Sequence, residues 1–466
     1  MIINLSATDI VSKIKSGELT AEAVAQAFID RIQLVNPKIN AIHQFDPERI
    51  LKDAKQKDQD MADGKPLGPL HGLPISLKDG FYVPGFKGAK GNKRLYELAT
   101  GEESSTAVDR LIEAGVVILG ITNVPENLAA VETDNILNGR TVNPYNKDLI
   151  AGGSSGGEGA LIACGGSCVG LGSDAAGSIR IPAAHCGITG LKPTKGLVPL
   201  TGLIPGDVGS LKADCSMLGP MSRYVEDLEL ILKVIAGPDY KDPACAPVEL
   251  PSYKTLNPKT LKAKYFINAG LTDTCPGVHR AIQAAIDCFS KKLSPVIKID
   301  SPDILKNSTK LCIETCFFEG NKGERHQAAI EKIQQTEFSP IYKQFLKAVK
   351  HSEFSNAELH NRINEIYQYK RAMFDAIGDA DILIIPTTPT PARNHGTTHD
   401  AINDAEYTMI ANLTGWPAAS IYCGNDKYGM PIGIQILAKP WQDHKVLAYA
   451  KAAQDLLGIP DLVAPN

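Results

Sequence analysis

Residues 151–190 carry 12 of the chain's 41 glycines, with serines recurring among them. Glycine is entropically costly to order, so this density marks backbone that turns tightly or lets a ligand approach closely. Three chemical motifs come near to fitting. The run Gly152-Gly153-Ser154-Ser155-Gly156-Gly157 lacks the lysine that a phosphate-binding loop places after its second glycine. Gly170-Leu171-Gly172-Ser173-Asp174-Ala175 matches G-x-G-x-x-A, but the residues about twenty positions on, Gly190-Leu191-Lys192-Pro193-Thr194, offer no acid for a ribose. Gly152-Gly153-Ser154-Ser155-Gly156 also fits the G-x-S-x-G elbow, which needs a downstream acid and histidine. His185 follows, yet with 10 histidines in the chain such partners are easily found.

A fourth reading is amide hydrolysis by a serine and a lysine. A serine hydroxyl is a poor nucleophile until a base takes its proton, and a desolvated lysine can be that base. Pro74-Ile75-Ser76-Leu77-Lys78-Asp79 places a lone lysine at the end of a strand-like run. Lowering its pKa from ~10.4 to near 7 takes roughly 4–5 kcal/mol of differential desolvation. The competing reading of the same segment is a solvated lysine at a strand end.

The elements that must position these residues read as alternating helices and strands. Helices are expected over 7–16, 21–35 and 47–62, with Thr20 as an N-cap and Asn36-Pro37 as a stop. These three amphipathic helices come before any strong strand and are expected to wrap the outside of a sheet formed later. A helix from Ser105 to about Gly115 runs into the β-branched strand Val116-Val117-Ile118-Leu119, a unit that builds parallel sheets. Ser222 is positioned to cap a helix closed by Gly237-Pro238. Prolines cluster between 238 and 258, which marks a surface connection. Beyond it come strand 264–269, helix 277–291, strand 295–299, a long charged helical section over 303–377, strand 381–385, strand 431–437 and a helix from Asp443. The pattern predicts an α/β fold with a large sheet covered on both faces.

Composition narrows the function classes. The formal net charge of −4 over 466 residues excludes a polybasic nucleic-acid binder, and 43% hydrophobic content supplies a full core. No window reaches the ~18 apolar residues of a membrane helix. The start lacks a charged region followed by an apolar one, so no secretory signal is expected. The 10 cysteines show no disulfide-scaffold spacing and are expected as free thiols in a cytoplasmic, reducing compartment.

Gly152 to Gly157, Gly172-Ser-Asp-Ala-Ala-Gly-Ser-Ile-Arg-Ile-Pro182 and Gly187-Ile-Thr-Gly-Leu-Lys-Pro-Thr194 together resemble the amidase signature. So do Leu73–Asp79, Thr122-Asn-Val-Pro-Glu126, Thr141-Val-Asn-Pro144, Pro386-Thr-Thr-Pro389 and Gly429–Ile436, all in the family's order, so the resemblance covers most of the chain. It implies one amidase-signature domain over 1–466, with a signature core at about 65–236, the connection at 238–258 and a helical section covering the substrate at 303–377. It implies a cofactor-free serine hydrolase of carboxylic amides acting on a small-molecule substrate, and a homodimer, since relatives often are.

Carried over residue by residue, the resemblance makes Ser178 the nucleophile, Ser154 the bridging serine and Lys78 the base, with a cis peptide between Gly153 and Ser154. The backbone of Ala175, Ala176 and Gly177 is expected to face the oxyanion. The family commonly has glycine where Ala176 stands, which bears on loop geometry. Asp174 and Arg180 flank the loop and can pair across it.

The run from Gly152 to Ile162, with Glu158 in it, resembles the fatty acid amide hydrolases more than the amidotransferase A subunits, as does Thr122-Asn-Val-Pro. By that likeness Leu128 is either a substrate contact or core packing. Phe317-Phe318 and the apolar face of 340–349 are candidate walls of an acyl channel, although such pairs are more often core. The rival reading, the glutamyl-tRNA(Gln) amidotransferase A subunit, pairs an Arg with an Asp to hold glutamine. Here the aligned positions are Ile366 or Tyr367 and Ala405, with Arg362, Arg371, Asp404 and Glu406 nearby. A catalytically idle scaffold is the third reading, opposed by the intact Lys78, Ser154 and Ser178. No metal site is expected: His395-x-x-x-His399 reads as loop and Cys312-x-x-x-Cys316 as a helix face, while Cys186 reads as packing.

Overall fold

The computed structural model describes residues 1–203, 210–269, 272–398 and 402–465. Its centre is a mixed, ten-stranded sheet. In chain order the strands are β1 (Pro74–Lys78), β2 (Val117–Thr122), the short ribbon β3 (Asp134–Asn135) and β4 (Gly139–Arg140), β5 (Val169–Asp174), β6 (Thr189–Lys192), β7 (Met217–Ser222), β8 (Ala263–Tyr265), β9 (Val296–Lys298), β10 (Ile382–Pro386), β11 (Ala418–Asn425) and β12 (Pro431–Leu437). Across the sheet the order is β2-β1-β5-β7-β6-β11-β12-β10-β8-β9, with β3 and β4 apart. Parallel pairs lie toward both edges, at β2-β1-β5 and β10-β8-β9, and antiparallel pairs fill the middle.

The sheet is buried on both faces, and strand parity shows it. Ile382 and Ile384 of β10 belong to one apolar core, whereas Leu383 and Ile385 belong to another. Successive side chains of a strand point to opposite faces, so a strand that is apolar at every position has helices on both sides. Helices Val225–Ile235 and Asp443–Leu457 fill the first core; Asn356–Ile377 and Glu406–Thr414 fill the second. The expected α/β sheet with two covered faces is therefore the observed one.

Local signals account for several helix starts. Thr20 accepts from the Ala23 amide and Asp46 from the amides of Glu48 and Arg49, each satisfying donors that the first turn leaves open. Two expectations are corrected. The helix from Ala21 runs through Pro37 to Ile39, because a proline in the last turn leaves the Asn40 amide to bond the Asn36 carbonyl and close the helix. Ser222 ends β7 instead of capping the following helix, whose N-cap is Tyr224; the Ser222 hydroxyl donates to the Cys168 carbonyl. The section 303–377 is broken into a 3-10 turn, a π-helix at Lys310–Phe317 and helices Glu324–Lys332, Pro340–Lys350 and Asn356–Ile377. No helix among the described residues is long and apolar enough to cross a membrane.

Candidate active site

Three neighbouring elements converge at the C-terminal end of β1. Lys78 is its last residue and is wholly buried. β5 lies beside β1, with Ser76 opposite Gly170, and ends at Asp174. The loop from Ala175 to Ile179 then turns back into the short helix Arg180–His185. The third element is the turn Gly152–Ser155 leading into helix Gly156–Ala163. The Gly153–Ser154 peptide is cis, as the resemblance implied. A Cβ on Gly153 would lie 2.8 Å from the Ala130 carbonyl oxygen, so backbone crowding requires glycine there.

This arrangement brings Lys78 Nζ to 2.7 Å from Ser154 Oγ, 3.0 Å from Ser173 Oγ and 3.1 Å from the Ser173 carbonyl. Among the described residues, no carboxylate oxygen is among its hydrogen-bond partners. Burial lowers the Lys78 pKa to about 7, against the opposing pull of Asp174 and Glu158; the charges of Lys90 and Lys212 lower it further. The solvated-lysine reading of this segment is thereby excluded. Ser173 is the contact that sequence reasoning missed. Its place on the strand beside β1 was hidden because β5, Val-Gly-Leu-Gly-Ser-Asp, has too little side chain to read as a strand.

Ser178 is half-buried and lines the same cavity as Ser154, and its carbonyl accepts from the Ser155 amide (3.1 Å). Gly177, with φ of 120°, makes the loop's sharp turn, and a Cβ there would strike Thr408 Oγ1 at 2.2 Å. The Gly177 amide donates to Asp174 Oδ1 (2.8 Å), so Gly177 supplies the bend while its N–H is already engaged. The amides of Ala175 and Ala176 donate to no acceptor among the described residues. Ala176 is not among the residues with positive φ, so its methyl group is tolerated; its carbonyl accepts from Thr408 Oγ1 (2.7 Å).

Asp174 and Arg180 form the brace anticipated across this loop. Both are fully buried, with Nε to Oδ2 at 3.0 Å and Nη2 to Oδ1 at 2.8 Å. Burial alone would raise the Asp174 pKa, but the Arg180 guanidinium overrides it and holds the carboxyl well below the usual carboxylate range. Asn412 donates to the same carboxylate at 2.9 Å, which ties the loop to helix Glu406–Thr414.

The cavity in front of Ser178 measures about 290 Å³. Leu128, Ile313, Phe317, Phe318 and Phe345 are among the apolar residues of its wall, and Lys90 and Lys212 also line it. Leu128 thus faces the cavity, as do the Phe317-Phe318 pair and residues of helix Pro340–Lys350. Of the positions weighed for glutamine recognition, Ala405 lines the cavity, Tyr367 is exposed, Arg362 pairs with Glu314 (3.0 Å), and Asp404 pairs with Arg393. His395 Nδ1 lies 2.9 Å from Glu132 Oε1, and His399 falls outside the described residues. Cys312 and Cys316 are buried on the π-helix, where Cys312 Sγ approaches the Ala175 carbonyl at 3.7 Å.

Residues 23–447 match the family model described as Amidase. The chain belongs to the amidase-signature family, hydrolases that act on carbon–nitrogen amide bonds. It is 34% identical over 480 residues to the A subunit of a glutamyl-tRNA(Gln) amidotransferase from Carboxydothermus hydrogenoformans, covering 96% of each chain. Among solved structures it resembles a fatty acid amide hydrolase, with TM-score 0.88 and 26% identity over 98% of this chain and 86% of that one. It also resembles 6-aminohexanoate cyclic dimer hydrolase, with TM-score 0.86 and 26% identity over 99% of this chain and 100% of the other.

Proposed function

We propose that this chain hydrolyses amides with an apolar acyl group through a Ser178 acyl-enzyme, with Ser154 and Lys78 as a proton relay. The observation that carries the reading is the buried Lys78 amine, close to Ser154 and without a carboxylate hydrogen-bond partner among the described residues. Its pKa of about 7 leaves a large neutral fraction at neutral pH. Ser178 Oγ attacks the amide carbonyl while its proton passes to Ser154 and the Ser154 proton to Lys78 Nζ. The oxyanion is met by the amides of Ala175 and Ala176, held by a loop already braced to Arg180. Lys78 returns the proton through Ser154 to the nitrogen as the carbon–nitrogen bond breaks, releasing ammonia or an amine. Water then attacks the ester carbonyl by the same relay and frees the acid.

The apolar wall of Leu128, Ile313, Phe317, Phe318 and Phe345 supports the acyl preference. The name of the Carboxydothermus relative favours a second reading, a glutaminase working within an amidotransferase of several chains. Against it, the Arg and Asp pair expected around glutamine is replaced at its aligned positions by Ile366 or Tyr367 and Ala405. A panel of short, aromatic and long-chain acyl amides plus glutamine separates the two by acid release. Preference for glutamine over every apolar amide overturns the acyl assignment.

Ser154→Ala is expected to slow labelling by a fluorophosphonate probe ~10²- to 10³-fold, because the relay then lacks its middle hydroxyl. Peptide mapping should still find the adduct on Ser178; an adduct that moves to another residue contradicts the assigned roles.

A further inference from the structure

A carboxyl group stands behind the base without taking part in the relay. Glu158, wholly buried on the first turn of helix Gly156–Ala163, accepts from Ser76 Oγ (2.6 Å) and Thr122 Oγ1 (2.9 Å). Both hydroxyls define where it lies relative to Lys78. Ser76 is two residues before Lys78 on β1, so their side chains share a face, and Thr122 is the register partner of Lys78 on β2. Space for the carboxyl comes from Gly170 on the other flanking strand, where a Cβ would lie 1.9 Å from Glu158 Oε2. An acid thus fits into a gap made by a missing side chain, held by two hydroxyls of the strands that flank Lys78.

We propose that Glu158 is a positioning residue that sets the pH at which Lys78 becomes a base: ionised, it holds Lys78 as the ammonium, and carrying the proton, it leaves Lys78 neutral. This rests on the Ser178–Ser154–Lys78 reading above. Among the described residues, the other charged groups acting on Lys78 are fixed or act the opposite way. Asp174 is locked to Arg180, and Lys90 and Lys212 disfavour the ammonium. Asp79, the next residue in the chain, faces away to the amides of Ala89, Lys90 and Gly91. Burial raises the Glu158 pKa to about 7, while the two hydroxyls and Lys78 pull it down, so both groups titrate in one range. Where two such groups interact, the protons leave in two steps whose apparent pKa values belong to the pair.

The test is the rate at which a fluorophosphonate probe labels Ser178 in the full chain, measured across about pH 5 to about 10 for the parent and Glu158→Gln. Glutamine keeps the shape but cannot ionise, so Lys78 should lose its proton more easily. The acid limb is expected to move down by roughly one unit, making the variant about 5- to 10-fold faster near pH 6. Coincident profiles with Ser178 labelled in both proteins overturn the role of Glu158 alone. A parent not labelled at Ser178 overturns both proposals. Should the variant not fold, infrared spectra of the parent decide: a protonated carboxylic-acid carbonyl band that persists while labelling rises through the acid limb supports the role. Absence of any such band above about pH 6, where ordinary carboxyls are ionised, overturns it.

Discussion

Lys78→Ala is expected to reduce Ser178 acylation and amide turnover by roughly 10²- to 10⁴-fold, the range that a positioned general base contributes. The pH dependence should change with it. In the parent the rate rises as pH passes through about 7, where Lys78 loses its proton, and then levels off. In the variant only hydroxide remains to take the serine proton, so the rate should keep climbing without a plateau. Lys78→Met, which fills the buried site with an apolar chain of similar length, controls for packing and should be as inactive as alanine. Parent-like rates in either variant remove Lys78 from the mechanism.

Arg180→Met is expected to lower the stability of the fold by ~3–5 kcal/mol, read from urea unfolding, because it strands a buried carboxylate. Asp174 is contacted by Arg180, Asn412 and the amides of Gly177 and Ile179, and removal of the guanidinium leaves it without its counter-charge. The sign of the pH effect follows from the direction of the Asp174 shift. In the parent, a depressed carboxyl stabilises the fold above its unfolded pKa near ~3.9, and that contribution fades as pH falls below it. In the variant, burial without Arg180 raises the same pKa, so acid should relieve the defect. The gap between parent and variant is therefore expected to narrow as pH falls from 7 toward about 4. A gap that stays constant with pH would assign the loss to packing around Arg180 instead of to the unpaired acid.

The sequence was most legible where local chemistry and tertiary structure agree. Thr20 caps its helix as read, and the strand read at 381–385 is present as Ile382–Pro386. It was least legible where side chains from elsewhere fill the space that a strand's own residues would normally occupy. β5 alternates glycine because Glu158 occupies the room at Gly170 and Ile179 that at Gly172, so its strand propensity disappears at the place the site needs it. β7, Met-Leu-Gly-Pro-Met-Ser, hides for a similar reason: a Cβ on Gly219 would strike the Leu191 carbonyl oxygen at 2.0 Å. Motif likeness nominated Lys78, Ser154 and Ser178, and geometry adds Ser173 and Glu158, which contact the relay or its supporting strand from positions distant in sequence. It also separates the loop amides, because Gly177 donates to Asp174 while Ala175 and Ala176 do not.

The central claim is that Ser178 becomes covalently acylated with Lys78 as its base. Intact-mass and peptide mapping after exposure to a fluorophosphonate probe at about pH 8, above the Lys78 pKa of about 7, tests it most directly. One adduct per chain is predicted, on Ser178, formed at a rate that collapses in Lys78→Ala. An unlabelled parent, or an adduct on any other residue, contradicts the claim.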